Sequence, residues 1–417
     1  METILKGVII NDPNSIHHLK QKDVRIGRGK LVAIEDQLES NENDEVLEQP
    51  GSMLSIGWMD LQADFADPGR EQMEGLSNGA AAAAAGGFTH VVINTNQSPA
   101  PDTKSAIVYL NSRAQGLPTR VLPMGTISLN REGHQLSEMN DLKNAGAVGF
   151  TDDRPIDNTE LLRRALEYAV NLNTPIVTLP LDFGLNSNPM MHEGSSSIHM
   201  GVVGNPSVSE TMRIKRDLDV LRYAGGKLHF SCISTAESVS LIQAAKDEGL
   251  QVTCSTSAHH LFFVDEDLAR FDGTLKSMPP FRAESDRKAL CKGVINGIID
   301  AVISDHRPQD LEHHDVEFML SPFGLSSIES VYPVARAGLS ESKNGDDALI
   351  RALTSGPRQI LGLQLPKIEV GERADLTWYH PEMKWQESAI SIGVNRPDYK
   401  ERTTPFNGIG KPLRTWI

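Results

Sequence analysis

The sequence predicts an α/β fold: a (β/α)8 barrel of the TIM type with a small discontinuous β domain built from both chain ends. Three observations carry this. Between residues 54 and 365, eight short apolar runs alternate with helix-forming segments, the pattern of parallel β/α units. Residues 1–53 and 366–417 instead give strand-and-turn patterns, and a composite β-sandwich-like domain is expected from the two. The length of 417 residues exceeds a single compact core and suits a barrel with a satellite domain.

The first element group runs from Leu5 to Glu48. Gly7-Val8-Ile9-Ile10 and Val24-Arg25-Ile26-Gly27 read as strands, separated by Asn-Asp-Pro and Gly-Arg-Gly turns. Leu54–Leu61 reads as the first barrel strand. A helix is expected over Met73–Ala85, where six alanines run from Ala80, and Gly86-Gly87 ends it before a strand at Phe88–Ile93. The remaining strands are expected at Arg120–Pro123, Ala147–Thr151, Pro175–Leu179, Lys227–Ile233, Gln251–Cys254 and Ile299–Ser304. Amphipathic segments at Asn158–Asn171 and Ala236–Asp247 lie between some of them, with Leu and Ala at helical spacing. Val370–Tyr379 then reads as a turn feeding a strand. In such a barrel the functional mouth lies at the C-terminal ends of the strands.

Composition narrows the class. Hydrophobic residues make up 39% and charged residues 23%, as in a soluble globular protein. A net charge of -15 argues against nucleic acid or an anionic membrane surface as a partner, since either needs a basic patch. Cys232, Cys254 and Cys291 lack the spacing of a zinc knuckle or a secreted disulfide framework, which fits a reducing compartment. The N-terminus carries no basic-then-apolar leader, and no run approaches the roughly 20 apolar residues of a membrane span. A cytoplasmic, unprocessed homo-oligomer is expected.

The stretch Asp60-Leu61-Gln62-Ala63-Asp64-Phe65-Ala66-Asp67-Pro68-Gly69-Arg70-Glu71 resembles the dihydroorotase signature, in which a strand ends in Asp-x-His-x-His-x-Arg followed by an acidic residue and Pro-Gly. Further matches follow in register: Asn96-Gln97-Ser98-Pro99, Asp152-Asp153, Met191-His192-Glu193-Gly194, His259-His260-Leu261, Pro279-Pro280-Phe281-Arg282, Asp305-His306 and Pro322-Phe323-Gly324. The resemblance covers roughly Ile56 to Leu376 and implies the metal-dependent hydrolase type of barrel, acting in pyrimidine biosynthesis. In that family one or two metal ions, usually zinc, activate a water that attacks the cyclic amide of dihydroorotate. Imidazoles and carboxylates suit this because they hold Zn²⁺ and leave a coordination position open.

This sequence departs from that pattern at the ligand positions. The two signature histidines correspond to Gln62 and Asp64, the one after the fifth strand to Leu179, and the one after the sixth to Cys232. Either Asp152 or Asp153 matches the bridging carboxylate. The substrate-gripping arginine corresponds to Ala66, an asparagine before Pro-Pro to Met278, and a histidine beyond Asp305-His306 to Gln309, while Asn96 is retained. Asp305 matches the general acid/base carboxylate, idle if no water is activated. No metal cofactor is therefore expected. His229, His259 and His260 read as structural histidines with satisfied hydrogen bonds, and Cys232 as a small apolar filler.

Where the family has small residues, Arg154 follows Asp152-Asp153 and Arg307 follows Asp305-His306. Carboxylates left together without a cation would repel or take up a proton. Arg154, Arg307 or both are therefore expected to pair with Asp64, Asp152, Asp153 or Asp305, against the plainer alternative that both face solvent. The resemblance implies a dihydroorotase homologue that has lost hydrolase activity and has a structural or regulatory role, with aspartate transcarbamoylase as the partner. The competing readings are an active dihydroorotase or other cyclic amidohydrolase with a metal site rebuilt from Asp64, an aspartate of the Asp152-Asp153 pair, Cys232 and Asp305, and a small-molecule sensor.

Overall fold

The computed structural model describes residues 2–185, 188–309, 311–314, 316–386 and 407–417. The C-terminal arm assigned to the composite domain therefore includes a stretch, 387–406, outside the described residues.

All eight apolar runs enter one closed barrel in chain order. Trp58–Ala63, Phe88–Ile93 and Arg120–Pro123 pair in parallel, as do Ile176–Thr178, Leu228–Phe230, Val252–Ser257 and Ala301–Ile303. The run at Ala147–Thr151 forms no extended strand. It joins by bridges at Phe150, to Gly125 on one side and Ile176 on the other, helped by the Val148 amide donating to the Pro123 carbonyl at 3.1 Å and the Thr151 amide to the Gly125 carbonyl at 2.9 Å. The ring closes where Ala63 pairs with His306 and the Asp64 amide donates to the His306 carbonyl at 2.7 Å. Buried Asp60 reinforces that closure by accepting from the Ser304 amide at 2.9 Å and from the Ser304 hydroxyl. Desolvation raises its carboxyl to about 6.

The barrel interior is filled by Met59, Leu61, Val92, Met124, Val177, Cys232, Ala301 and Ile303, a packed core and not a pore. A second apolar layer lies between strands and helices, where Ala80, Ala82 and Ala83 of helix Leu76–Ala85 are buried. That helix begins later than Met73 because Gly75, at φ 89°, turns the chain into it. Thr159–Leu172, capped by Asn158, and Ala236–Asp247, capped by Thr235, lie close to their expected spans.

One expected strand is really two. The run Leu54–Leu61 breaks at Gly57: Met53–Ile56 belongs to the other sheet and Trp58–Ala63 to the barrel. A Cβ at Gly57 would lie 2.0 Å from Asp375 Oδ1 and 2.1 Å from Thr89 Oγ1, so only glycine passes here. The run reads as continuous because Ile56 and Trp58 are both buried, each in its own core.

That other sheet has seven strands drawn from both chain ends. Leu376–Gln386 pairs antiparallel with Met53–Ile56 and with Asn407–Trp416, while Thr3–Ile10 pairs with Gln21–Gly27 and, in parallel, with Glu45–Glu48. It has its own core, with Leu5, Val8, Ile10, Val24, Ile26, Leu54, Ile56, Leu376 and Trp378. Among the described residues no helix is long and apolar enough to cross a membrane.

Candidate functional site

The C-terminal ends of the barrel strands and the loops that follow bring Gln62, Asn96, Asp153 and Asp305 together around one guanidinium, that of Arg307. Arg307 donates from both terminal nitrogens to Asp153, at 2.7 and 2.8 Å, and from Nε to Asp305 Oδ1 at 2.9 Å. Planar two-point pairing of this kind is the strong form of the arginine–carboxylate bond. All three side chains are largely buried, at 19% exposure for Arg307, 4% for Asp153 and 7% for Asp305. Gln62 completes the set: its Nε2 donates to Asp305 Oδ1 at 2.6 Å, and its Oε1 accepts from the Ser231 hydroxyl. Asp153 Oδ2 also accepts from Asn96 Nδ2 at 2.6 Å and Asn94 Nδ2 at 3.1 Å.

Burial governs the electrostatics. Desolvation pushes the Asp305 carboxyl above its ordinary value, and the Asp153 charge adds to this while Arg307 and Gln62 oppose it. Burial opposes the charge on Arg307, but Asp153 and Asp305 together hold it more firmly protonated than a free arginine. The Cys232 thiol is pushed well up, chiefly by burial and then by the Asp305 charge, and it packs among the apolar side chains of the barrel interior.

The backbone here is unusual. Ala66, Asn130, Arg131, Asp153, Cys232 and Asp305 all have positive φ, between 48° and 59°. Such non-glycine conformations cost about 1–3 kcal/mol each and persist where surrounding structure enforces them, commonly at functional sites.

Arg154 is exposed and makes no ion pair among the described residues, so it does not reach these carboxylates. Asp152 faces away from the mouth: it accepts from the Ile127 and Ser128 amides at 2.8 and 3.0 Å and from the Ser128 hydroxyl at 2.5 Å. Its carboxyl is raised by burial. Asp64 pairs with neither Arg154 nor Arg307 but with Arg70, whose Nη2 lies 2.7 Å from Oδ2. Leu179 is half-buried beyond its strand, Met278 half-buried before Pro279, and Ala66 buried with its amide held by Asp64 at 2.8 Å. Gln309 braces the neighbouring loop through the Phe323 carbonyl at 3.2 Å. His260 bonds Ser257 and the Pro279 carbonyl, His259 bonds Ser330, and His229 bonds Thr253 and Ser255. Burial lowers these imidazoles to about 3 or 4, so they are neutral structural groups.

Two arginines come to the mouth that sequence reasoning left aside. Arg70 also reaches the Asn96 carbonyl at 3.1 Å, and a tight turn in which the Arg70 amide donates to the Ala66 carbonyl carries it there. Its place four residues beyond Ala66, inside the motif itself, was a usable signal. Arg131, from the loop after the third strand, donates to the Thr95 carbonyl at 2.7 Å and to Asn96 Oδ1. No spacing pointed to it.

Among the described residues no three His, Cys, Asp or Glu side chains form a group able to hold a metal ion. The donor chemistry agrees. Gln62 is a neutral amide already bonded to Asp305 and Ser231, Leu179 offers no donor, Cys232 is packed in the apolar barrel interior, and Asp153 and Asp305 already hold a guanidinium. These residues do not fit a zinc centre.

A family model described as dihydro-orotase-like matches residues 51–238. A dihydroorotase of Carboxydothermus hydrogenoformans is 35% identical over 98% of this chain and 95% of its own length. This chain belongs to the dihydroorotase-like family. Another dihydroorotase, from a Geobacillus species, is 35% identical over 96% of the chain and 94% of its own length. Among solved structures, an L-hydantoinase (dihydropyrimidinase) from Arthrobacter aurescens superimposes with a TM-score of 0.83 at 18% identity, over 100% of this chain and 94% of that one. A dihydropyrimidinase from Brevibacillus agri gives 0.80 at 20% identity, over 99% and 94%. At that identity the likeness speaks for the fold: the dihydroorotase-like chain has the barrel and β domain of these enzymes.

Proposed function

We propose that this dihydroorotase-like chain has exchanged its family's metal centre for a buried ion-pair lock, no longer hydrolyses dihydroorotate, and acts as a structural or regulatory subunit in pyrimidine biosynthesis. The observation that carries the reading is the Arg307 fork on Asp153 and Asp305. A fixed guanidinium neutralises the carboxylates as a bound cation would, but it has no open coordination position and generates no hydroxide. Asp305, bonded to Arg307 and Gln62, is not free to take a proton from substrate. Losing outer-sphere partners alone costs about 10–100-fold in metal affinity or activity, and here direct ligand positions are replaced. Aspartate transcarbamoylase is the partner this reading favours, and a homo-oligomer the assembly.

Dihydroorotate turnover is the test, with and without added Zn²⁺ or Mn²⁺. The expected result is no turnover above the uncatalysed rate in either condition. Metal-dependent turnover that disappears in Asp305→Asn would overturn the reading and restore an active amidohydrolase.

A further inference from the structure

At the end of the barrel opposite the mouth, a cavity of about 350 Å³ lies on the seam between the barrel and the seven-stranded sheet. This falls in the range of small-molecule sites, roughly 300–1,000 Å³. Its wall carries three guanidiniums, Arg120, Arg358 and Arg373, against the carboxylates of Glu372 and Asp375. In a chain of net charge -15 that is a local reversal of sign.

The three arginines are not equivalent. Arg358, 2% exposed, is fully used: it donates to the Gly57 carbonyl at 2.7 Å, the Thr354 carbonyl at 3.0 Å and Asp375 Oδ2 at 3.1 Å. Asp375 is spent in turn on Arg358 and on the Thr89 hydroxyl at 2.7 Å. The side chains of Arg120 and Arg373 are exposed and make no hydrogen bond or ion pair among the described residues. Both line the cavity, beside an apolar wall that includes Leu122 and Leu365. His90 reports their convergence: after burial, and against the pull of Asp375, the charges of Arg358, Arg120 and Arg373 all bear on its imidazole, which is lowered to about 4.

We propose that this cavity is a binding site for a small phosphate monoester with an apolar or planar body, of nucleoside monophosphate size. The phosphate sits between Arg120 and Arg373, two free forks whose geometry matches a tetrahedral oxyanion. The body packs on Leu122 and Leu365. Both domains supply contacts, so occupancy braces the seam. The site shares no residue with the mouth, and the proposal stands whether or not the chain is an active hydrolase.

Isothermal titration of the full chain with uridine monophosphate, adenosine monophosphate and inorganic phosphate tests it. The expected result is saturable binding of a nucleotide, tighter than inorganic phosphate, and weakened at least about tenfold by Arg120→Gln and by Arg373→Gln, since a hydrogen bond to a charged group is worth roughly that or more. Unliganded Tm should be unchanged in both variants, because neither side chain has a hydrogen-bond or ion-pair partner to lose among the described residues. The imidazole of His90, followed by NMR, should titrate at higher pH once the anion is bound. No saturable binding of either nucleotide, or binding indifferent to both substitutions, would overturn the proposal.

Discussion

Replacing Arg307 with alanine is expected to cost the folded chain about 3–5 kcal/mol at neutral pH, the range for removing one partner of a buried ion pair. The variant leaves Asp153 and Asp305 close together, largely buried and without their cation. The loss has a pH signature whose sign follows from Asp305. Its folded-state carboxyl is already raised by burial. A raised carboxyl binds its proton in the folded state before the unfolded chain does, so its contribution is fully present below the ordinary value of about 4 and is lost as pH rises through the folded value. Without Arg307 the carboxyl rises further. The deficit of the variant relative to wild type should therefore be largest near neutral pH and shrink as pH falls toward the carboxylate range. Urea unfolding at a series of pH values reads this directly. A deficit that does not change with pH would mean that the carboxylates find other partners. Arg307→Lys keeps the charge but loses the fork, and should recover only part of the stability.

Glu210→Ala is expected to cost a similar amount, about 3–5 kcal/mol. Glu210 is fully buried on helix Val208–Ala224 and accepts from the Ser234 and Thr235 amides at 3.0 Å, from Thr235 Oγ1 at 3.1 Å, from Ser238 Oγ at 2.5 Å and from the Ser234 hydroxyl. It therefore holds the two residues that lead into helix Ala236–Asp247, next to an N-terminus whose Ala236 and Ser238 amides are taken by Asp286 and the Thr235 cap, and a negative charge there is also favoured by the helix dipole. The buried guanidinium of Arg282 shares this network through Ser234 Oγ at 3.0 Å and draws on the Glu210 charge. Alanine would strand the amides and remove a counter-charge together. Glu210→Gln keeps one acceptor and should lose less, about 1.5–3 kcal/mol. Chemical denaturation of the three proteins checks the order, and a loss in the alanine variant below about 1 kcal/mol would show that water or a neighbour takes over the role.

The barrel was legible because its strands are buried on both faces and read as unbroken apolar runs. The same property hid the change of sheet at Gly57, since Ile56 and Trp58 are apolar on either side of it. At the mouth, Arg154 and Arg307 are equally conspicuous in sequence, each directly after an aspartate-bearing motif pair, and only the fold separates them: Arg307 reaches Asp153 and Asp305, whereas Arg154 is exposed. The choice between Asp152 and Asp153 was not readable from adjacent identical residues. It is made by backbone geometry: at φ 48° Asp153 faces the mouth, while Asp152 is held by the Ile127 and Ser128 amides. Arg70 and Arg131 arrive through loop conformations, and local periodicity carries no record of where such loops return.

The proposed replacement of a metal ion by the Arg307 guanidinium is tested most directly by zinc stoichiometry. The chain is purified without chelator, dialysed against Zn²⁺, freed of excess metal and analysed for bound zinc alongside dihydroorotate turnover. That replacement predicts no stoichiometric zinc and no turnover. One or more tightly bound zinc ions per chain, together with turnover, would contradict it and would require Arg307 to leave Asp153 and Asp305.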